Sequence, residues 1–276
     1  VAGGTTLTFC KNQGDNNVAV GNYSLDAITT GASNTAIGYQ AGTALDTGAN
    51  NVLVGRAAGA ATVSSNYNVA IGNYALTTDA SSGKNVAIGY EALKIQNTAD
   101  SNNVAIGYQA AVALNGGTDS VYMGHLAGGV GAITGDSNVA IGSNAMLDAT
   151  SAATSVFIGA NSGGEPISGS RSVALTGAGN VCVGFQTGYK LTAGYSNVLI
   201  GKDAGVNISD GIGNIAIGHG ALDAANGTTA GGNREDSNIA IGTNALGAET
   251  SGSDGGVAVG DNALANQDVA AANNVA

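Results

Sequence analysis

The chain has 276 residues, including 46 Gly and one Pro, and 43% of its residues are hydrophobic while only 10% are charged. The formal net charge of −11, with only eight basic residues, excludes the cationic surface that nucleic-acid binding requires. The apolar fraction is too high for a disordered linker, and Gly follows no triplet period, which excludes collagen. No apolar run reaches the length of about 18 residues that a membrane-spanning helix needs, so we expect no membrane insertion.

Along the chain, a short lead-in precedes a long series of similar phrases. We predict a lead-in strand in residues 1–15 and one repeat domain in residues 16–276. The phrase NTAIGYQAG at residues 34–42 is typical, and the Gly after its Ile serves as a marker from which other positions are counted. The fourteen markers are Gly21, Gly38, Gly55, Gly72, Gly89, Gly107, Gly124, Gly142, Gly159, Gly184, Gly201, Gly218, Gly242 and Gly260. Eight of the thirteen intervals are 17 residues and three are 18, which indicates a stacked repeat architecture.

The strand of each repeat lies just before the marker. Position −2 holds Ala in nine of the fourteen repeats, and positions −3 and −1 hold Val or Ile in nearly all of them. This alternation predicts a β-strand, and a short Gly-rich period predicts one coil of a parallel β-solenoid rather than a pair of helices. We therefore predict an all-β chain of about fourteen coils of about 17 residues, with Val and Ile stacked inside. The marker Gly is expected where no other residue fits, and the Asn at position −4 in eleven repeats predicts a ladder of side-chain amides.

Two coils are longer than the rest, at residues 160–183 and 219–241. In the first, residues 173–176 have the sequence VALT and are interpreted as a degenerate strand with Thr176 in the marker position. In the second, the extra residues lie around 226–236 and predict a polar loop with Arg234 near its end. Such a loop either contacts a receptor or is a tolerated insertion.

The residues at position −2 indicate that one chain is not enough. They include Leu53, Tyr122 and Phe157 besides Ala, and none of the fourteen is charged or carries an amide. Because a coil of this length is thin and both strand faces are apolar, we expect the face that carries position −2 to pack against other copies of the chain. The alternative is a monomeric solenoid whose small side chains at position −2 are simply exposed.

Four phrases, NNVAVGNYSL, NTAIGYQAG, NVAIGYEAL and NIAIGTNAL, resemble the head repeats of trimeric autotransporter adhesins and the tandem arrays of phage tail fibres. The resemblance covers residues 16–276, although the period is longer than that of the usual adhesin head repeat. It implies a left-handed parallel β-roll, three chains side by side as a homotrimer, and a role in attachment. It also implies an extracellular location, on a virion surface or on a cell surface.

Candidate ligand contacts lie directly after the marker, at position +1. The side chains of interest there are Tyr39, Tyr90, Tyr108, His125 and His219. Aromatic side chains on a flat stacked surface suit a sugar ring, which has one apolar face and a rim of hydroxyl groups. We predict that position +1 and Arg234 of the longer loop contact a cell-surface glycan or protein receptor. The alternative is that these side chains merely cover the edge of the solenoid.

Catalytic chemistry is not expected. The two histidines lie several coils apart without cysteine or carboxylate partners at metal-ligand spacing, so we predict no metal, no cofactor and no enzyme activity. The favoured function is a structural fibre module for attachment. One alternative is a subunit of an extracellular filament that assembles by end-to-end stacking. Another is a carbohydrate-active β-helix depolymerase, which needs paired carboxylates at matched height, whereas Glu91 and Asp203 share a column but lie many coils apart.

Overall fold

The structure is a computed structural model that describes residues 7–8, 14–79, 83–96, 101–129, 131–164, 174–223, 236–247, 255–265 and 275–276. Within these residues the chain contains eighteen β-strands and no helix, and it folds as a parallel β-solenoid. The predicted fold class is therefore confirmed. The chain forms two compact units, Val1–Asp136 and Ser137–Ala276.

Most strands are three residues long and end directly before a marker Gly. The strands of the first unit are β1 Leu7–Thr8, β2 Val18–Val20, β3 Thr35–Ile37, β4 Val52–Val54, β5 Val69–Ile71, β6 Thr78–Asp79, β7 Val86–Ile88, β8 Ile95–Gln96, β9 Val104–Ile106, β10 Ala113–Leu114 and β11 Val121–Met123. The strands of the second unit are β12 Val139–Ile141, β13 Val156–Ile158, β14 Val181–Val183, β15 Val198–Ile200, β16 Ile215–Ile217, β17 Ile239–Ile241 and β18 Val257–Val259.

Within each unit the three-residue strands stack in parallel, one strand per coil. β5 and β7 align Ala70 with Ala87, and the same register continues from coil to coil, so every position forms a straight column. Successive residues of a column are about 4.8 Å apart, the spacing between neighbouring strands. Two features depart from this pattern: β1 pairs antiparallel with β2, and β6, β8 and β10 form a second parallel sheet in the first unit.

Position −2 lies inside each coil, whereas positions −3 and −1 lie outside. Ala36 and Ala87 are 0% exposed, although the structure contains a single chain. In contrast, Val18, Ile37 and Val259 are 49%, 40% and 58% exposed. The prediction that Val and Ile fill the interior is therefore wrong, and so is the prediction that the face with position −2 meets a partner chain. A coil of this length encloses too little volume for two β-branched side chains per strand, so the single side chain at position −2 points inward.

Side-chain sizes at positions −2 and +4 compensate one another across this interior. Ala70 at position −2 is accompanied by Leu76 at position +4, and both are 0% exposed. Where position −2 holds Phe157, position +4 holds Gly163, and a Cβ on that Gly would lie 2.2 Å from atom Cε1 of the phenylalanine ring. Eleven of the fourteen coils are filled in this way, by a small and a large side chain or by a large side chain and Gly; the exceptions are Ala36 with Gly42, Ala105 with Ala111 and Cys182 with Gly188. Such matching gives the dense packing that protein interiors require.

The marker Gly ends each strand at a point where neighbouring coils come very close. Gly72 has a φ of 137°. A Cβ at this position would lie 2.3 Å from the carbonyl oxygen of Gly89, the marker of the next coil. The position therefore requires Gly both for its backbone conformation and for space, as the sequence predicts.

Three further positions, −5, +2 and +4, have positive φ in every coil that the structure describes at these positions. In one coil they are Tyr67, Tyr74 and Leu76, with φ of 61°, 61° and 49°. Non-glycine residues seldom adopt this conformation. Here it turns the backbone N–H of Tyr74 to the oxygen of Arg56 in the preceding coil and that of Leu76 to Ala92 in the following coil, each at 2.9 Å. These hydrogen bonds between coils offset the conformational strain.

The Asn before each strand forms the predicted amide ladder. The backbone N–H and the side-chain Nδ2 of Asn51 each donate to Oδ1 of Asn34 at 3.0 Å, and Nδ2 also donates to the carbonyl oxygen of Ser65 at 2.8 Å. Both amides are buried, and buried polar groups are stable only when they are hydrogen-bonded in this way. Ser155 occupies the same column, and its Oγ accepts from the N–H of Asn180 at 3.2 Å.

The longer coil at 160–183 differs from its prediction. Leu175 forms a parallel bridge with Ala149, and the N–H of Thr176 donates to the oxygen of Thr192 at 2.8 Å. Residues 174–179 are therefore the return segment of one coil, and the interpretation as a degenerate strand with Thr176 in the marker position is wrong. Buried Leu175 has the role that Leu191 has in the following coil. Counting 17 residues from the marker failed because the extra residues precede this return segment.

Candidate functional site

Two outer surfaces of the coils are available for contact with other molecules. We call the residues at positions −3 and −1 the Val/Ile strip, and the residues at positions +1 and +2 the turn surface. The first surface is nearly constant from coil to coil, whereas the second carries a different pair of side chains in almost every coil.

The Val/Ile strip is apolar and half-exposed along both units. Every position in it is Val or Ile except Thr35 and Met123, and none carries a charge. Ile71 in the first unit and Ile241 in the second are 38% and 37% exposed. Isolated exposed apolar residues are normal on monomeric proteins, but a contiguous strip of them indicates a surface for association.

The turn surface follows directly from the backbone conformation after the marker. The side chain at position +1 points outward, as in Tyr90, which is 40% exposed. Position +2 has a positive φ, 55° in Glu91, and this turns the chain back toward the interior. Position +3 is then buried, as in Ala92 at 0% exposure. Each coil therefore presents two adjacent side chains at the same edge.

In the first unit, the turn surface carries a stack of aromatic rings. The ring centroids of Tyr90 and Tyr108 are 5.2 Å apart with an interplanar angle of 13°, and those of Tyr108 and His125 are 5.5 Å apart at 17°. Tyr74 approaches Tyr90 edge-on at 6.1 Å, and the guanidinium carbon of Arg56 lies 5.3 Å from the centroid of Tyr74. The structure thus brings together three of the predicted contact residues.

This stack limits what the rings can bind. Nearly parallel rings at these distances turn their faces toward each other, so that mainly ring edges and hydroxyl groups meet the solvent. A sugar ring stacks on a free aromatic face, and the middle of the stack offers none. Tyr39 lies outside the stack, in an edge-to-face pair with Tyr23 at 5.9 Å.

A hydrogen-bonded carboxylate borders the stack. Lys94 Nζ and Gln109 Nε2 donate to the two carboxylate oxygens of Glu91, each at 2.7 Å. The hydrogen bond from Lys94, followed by that from Gln109, lowers the pKa of Glu91. The negative charge of Glu91 in turn raises the pKa of the Tyr90 phenol, and its hydrogen bond raises the pKa of Lys94. Each carboxylate oxygen of Glu91 therefore already accepts a hydrogen bond from a neighbouring side chain.

In the second unit, the turn surface carries a more polar patch. Asp203 Oδ2 lies 3.4 Å from Nζ of Lys202 and 3.9 Å from Nε2 of His219. Phe185 precedes Lys202 and His219 in the column of position +1 and is 45% exposed. The N–H of Asp203 donates to the oxygen of Phe185 at 2.9 Å, and that of Gly220 donates to Lys202 at 3.0 Å, so the patch extends over three consecutive coils.

The predicted contact residues therefore fall into separate groups. Tyr39 pairs with Tyr23, while Tyr90, Tyr108 and His125 form one stack, and His219 lies beside Asp203. Arg234 lies outside the described residues, as does the predicted loop at 226–236 apart from Asp236. A contact by that loop stays a prediction.

Sequence reasoning missed two features of these surfaces. Asp203 at position +2 was not predicted as a contact, although its charge, opposite to that of the neighbouring Lys202 at position +1, was a visible signal. A groove of about 360 Å³ in the second unit was also missed. It is lined by Tyr195 and by the hydroxyl-bearing residues Thr154, Thr176 and Ser196.

Within the residues that the structure describes, no group of three or more His, Cys, Asp or Glu side chains is arranged to hold a metal ion. Cys182 occupies position −2, where complete burial raises the pKa of its thiol and keeps it protonated. None of the described segments forms a helix that is long and apolar enough to span a membrane.

Comparison with known proteins adds no identification. No family model matches this sequence, and no curated protein matches it either. The resemblance to adhesin and tail-fibre repeats therefore stays a prediction based on the repeated phrase itself.

Proposed function

We propose that this chain is a structural fibre module that associates side by side with further copies of itself and attaches to a cell surface from the outside. The observation that carries the proposal is the uncharged, half-exposed Val/Ile strip along both units. In this proposal the chain has no catalytic role. It holds a rigid scaffold together and presents the turn surface to a glycan or protein receptor.

The strip favours association on energetic grounds. Six steps between coils give it a length on the order of 30 Å in each unit. Burial of apolar surface contributes about 25 cal/mol per Å², and no charge in the strip has to lose its hydration. A copy of the same chain fits best, because it presents the same two columns at the same spacing. The number of three chains comes from the resemblance to trimeric fibres.

The turn surface supports the attachment part of the proposal. Its residues vary from coil to coil, whereas the interior columns and the strip hardly vary. Tyr39 and Tyr108 are 45% and 49% exposed, so large side chains are available to a partner. Association of several chains would place several turn surfaces on one particle, and such multivalency raises the overall affinity for a repetitive cell surface.

Association is tested by light scattering on the purified chain, which should give about three times the chain mass of 26.5 kDa. A triple variant, Ile71→Lys, Ile88→Glu and Ile106→Lys, places alternating charges in the strip. Opposite charges on neighbouring strands are tolerated in water, but they oppose burial against another copy. We expect this variant to be a folded monomer with the β-type circular dichroism spectrum of the original chain.

The matched control places the same charges on exposed apolar residues outside the strip, Val63→Lys, Tyr67→Glu and Ile95→Lys. This variant should remain associated. A monodisperse species of 26.5 kDa for the unmodified chain contradicts the proposal. Equal dissociation of both variants shows that the strip is not the contact surface.

A further inference from the structure

The polar patch of the second unit differs from the aromatic stack of the first in its unused binding capacity. Glu91 in the first unit accepts two hydrogen bonds at 2.7 Å. Asp203 occupies the equivalent position +2, yet the nearest side-chain nitrogens of Lys202 and His219 lie 3.4 and 3.9 Å from its Oδ2. These separations are longer than those of ordinary hydrogen bonds. Among the described residues, the carboxylate of Asp203 therefore retains the capacity to accept hydrogen bonds from a ligand.

The distance between Asp203 and His219 suits a hydroxyl group. Oδ2 of the carboxylate and Nε2 of the imidazole are 3.9 Å apart. An oxygen atom placed to the side of both can lie about 2.8 Å from each of them. A hydroxyl at that point donates to the carboxylate and accepts from the imidazole N–H. Lys202, whose side chain is 57% exposed, supplies a further donor beside the same carboxylate.

Phe185 supplies an apolar ring next to these polar groups. In its column the neighbouring coils carry Ala160 and Lys202, so no ring of that column is stacked on it, unlike Tyr90 and Tyr108. Two coil steps separate Phe185 from His219, which amounts to about 10 Å. This length accommodates one or two pyranose rings lying along the column.

We propose that Phe185, Lys202, Asp203 and His219 form a subsite for a neutral saccharide, a ligand class that deepens the attachment function proposed above and rests on it. The apolar face of a pyranose ring packs on Phe185, and vicinal hydroxyl groups bind Asp203 and His219. The ligand is uncharged because the chain has a net charge of −11, which disfavours polyanions. Lys202 contributes to binding by donating a hydrogen bond to a hydroxyl or ring oxygen of the sugar.

The subsite is tested by saturation-transfer NMR and calorimetry with the methyl glycosides of glucose, galactose and mannose and with N-acetylglucosamine. At least one of these neutral sugars should bind saturably at millimolar concentration. Phe185→Ala and Asp203→Asn should each weaken that binding at least tenfold. Asn already occupies position +2 in Asn144 and Asn161, so Asp203→Asn leaves the backbone conformation intact. Unchanged melting temperatures would confirm that the variants are folded.

Matched changes in the first unit provide the control. Tyr67→Ala and Asp26→Asn remove the same kinds of group from exposed positions outside the turn surface and should leave sugar binding within a factor of two. The inference is overturned if none of the neutral sugars binds saturably, or if the first-unit variants weaken binding as much as the second-unit variants. Preferential binding of N-acetylneuraminic acid, an anionic sugar, also overturns it. None of these results contradicts the proposed fibre function, because that function is tested by the association of chains. Conversely, a chain that is monomeric but binds a neutral sugar through Phe185 and Asp203 contradicts the fibre function and supports the subsite.

Discussion

The inner and outer faces of each strand differ in how closely side-chain size is matched to the residues packed against it. On the inner face, Ala70 and Phe157 are both fully buried, and position +4 holds Leu76 opposite the first and Gly163 opposite the second. On the outer face, Ile71 is 38% exposed, and the side-chain size hardly varies along the column. The comparison shows that hydrophobicity alone does not identify the interior of a thin coil. Compensation in size between positions −2 and +4, which eleven of the fourteen coils show, does identify it.

The strongest test of this comparison places the same charge on either face of β5. Ala70→Asp buries a carboxylate without a partner, which should cost at least about 3 kcal/mol of unfolding free energy. Ile71→Asp should leave the chain folded, because its side chain reaches water when the chain is not associated. Far-ultraviolet circular dichroism and urea unfolding distinguish the two variants. The reverse order of stabilities would place Ile, and not Ala, in the interior.

A second test exchanges the sizes of the two inner positions. Phe157→Ala should cost about 3–5 kcal/mol because it leaves a cavity. Adding Gly163→Leu should recover part of this loss, since Leu is accepted at position +4 with positive φ in Leu76 and Leu93. Thermal unfolding of the single and double variants measures the recovery.

The control for this exchange is Gly163→Leu alone, which should be destabilising because the phenylalanine ring already occupies the space. A double variant that is no more stable than Phe157→Ala would mean that matched size does not explain the pairing of the two columns.

The smallest expected effect concerns the outer edge, at Glu91→Gln. Because the charge of Glu91 raises the pKa of Tyr90, the variant should lower that pKa toward its ordinary value, measured from the pH dependence of the NMR signals of the Tyr90 ring. Asp26→Asn, a change of another exposed carboxylate, should leave it unchanged. The lowered carboxyl pKa means that the pair with Lys94 contributes stability above the ordinary carboxyl pKa, and this is lost as pH falls through the lowered value.

The stabilisation by the pair of Glu91 and Lys94 is also lost at high pH. Because the pKa of Lys94 is raised, its contribution is complete below the ordinary lysine pKa and is lost as pH rises through the raised value. Lys94 is 38% exposed, so the whole effect at neutral pH should not exceed about 0.5 kcal/mol. A pKa of Tyr90 that does not respond to Glu91→Gln would contradict this account.

The repeat itself determined most of what the sequence could predict. A marker such as Gly72 and an amide such as Asn51 have one physical role each, and both roles are visible as constant columns. The orientation of the strand was predicted wrongly because Val and Ile were assumed to be interior on hydrophobicity. The correct signal was present in pairs such as Phe157 with Gly163, but it requires comparison of two columns within each coil.

The candidate sites were less predictable. A shared column does place Tyr90 and Tyr108 near each other, but their ring planes depend on side-chain rotation, which the sequence does not specify. The positive φ of Tyr74 or Glu91 was also not predictable, because these residue types rarely adopt it. Here the hydrogen bonds between coils impose the conformation on all eight residue types found at that position.

This imposed conformation has a consequence for the evolution of the chain. Position +2 accepts Tyr, Gln, Ala, Glu, Leu, Asn, Asp and Gly with the same backbone, and none of its fourteen residues is β-branched, the class that positive φ excludes most strongly. The hidden columns preserve the scaffold, so at the visible edge folding selects only against β-branched residues at position +2. The residues that recognise a partner can therefore diversify one coil at a time, while the fold of the solenoid stays the same.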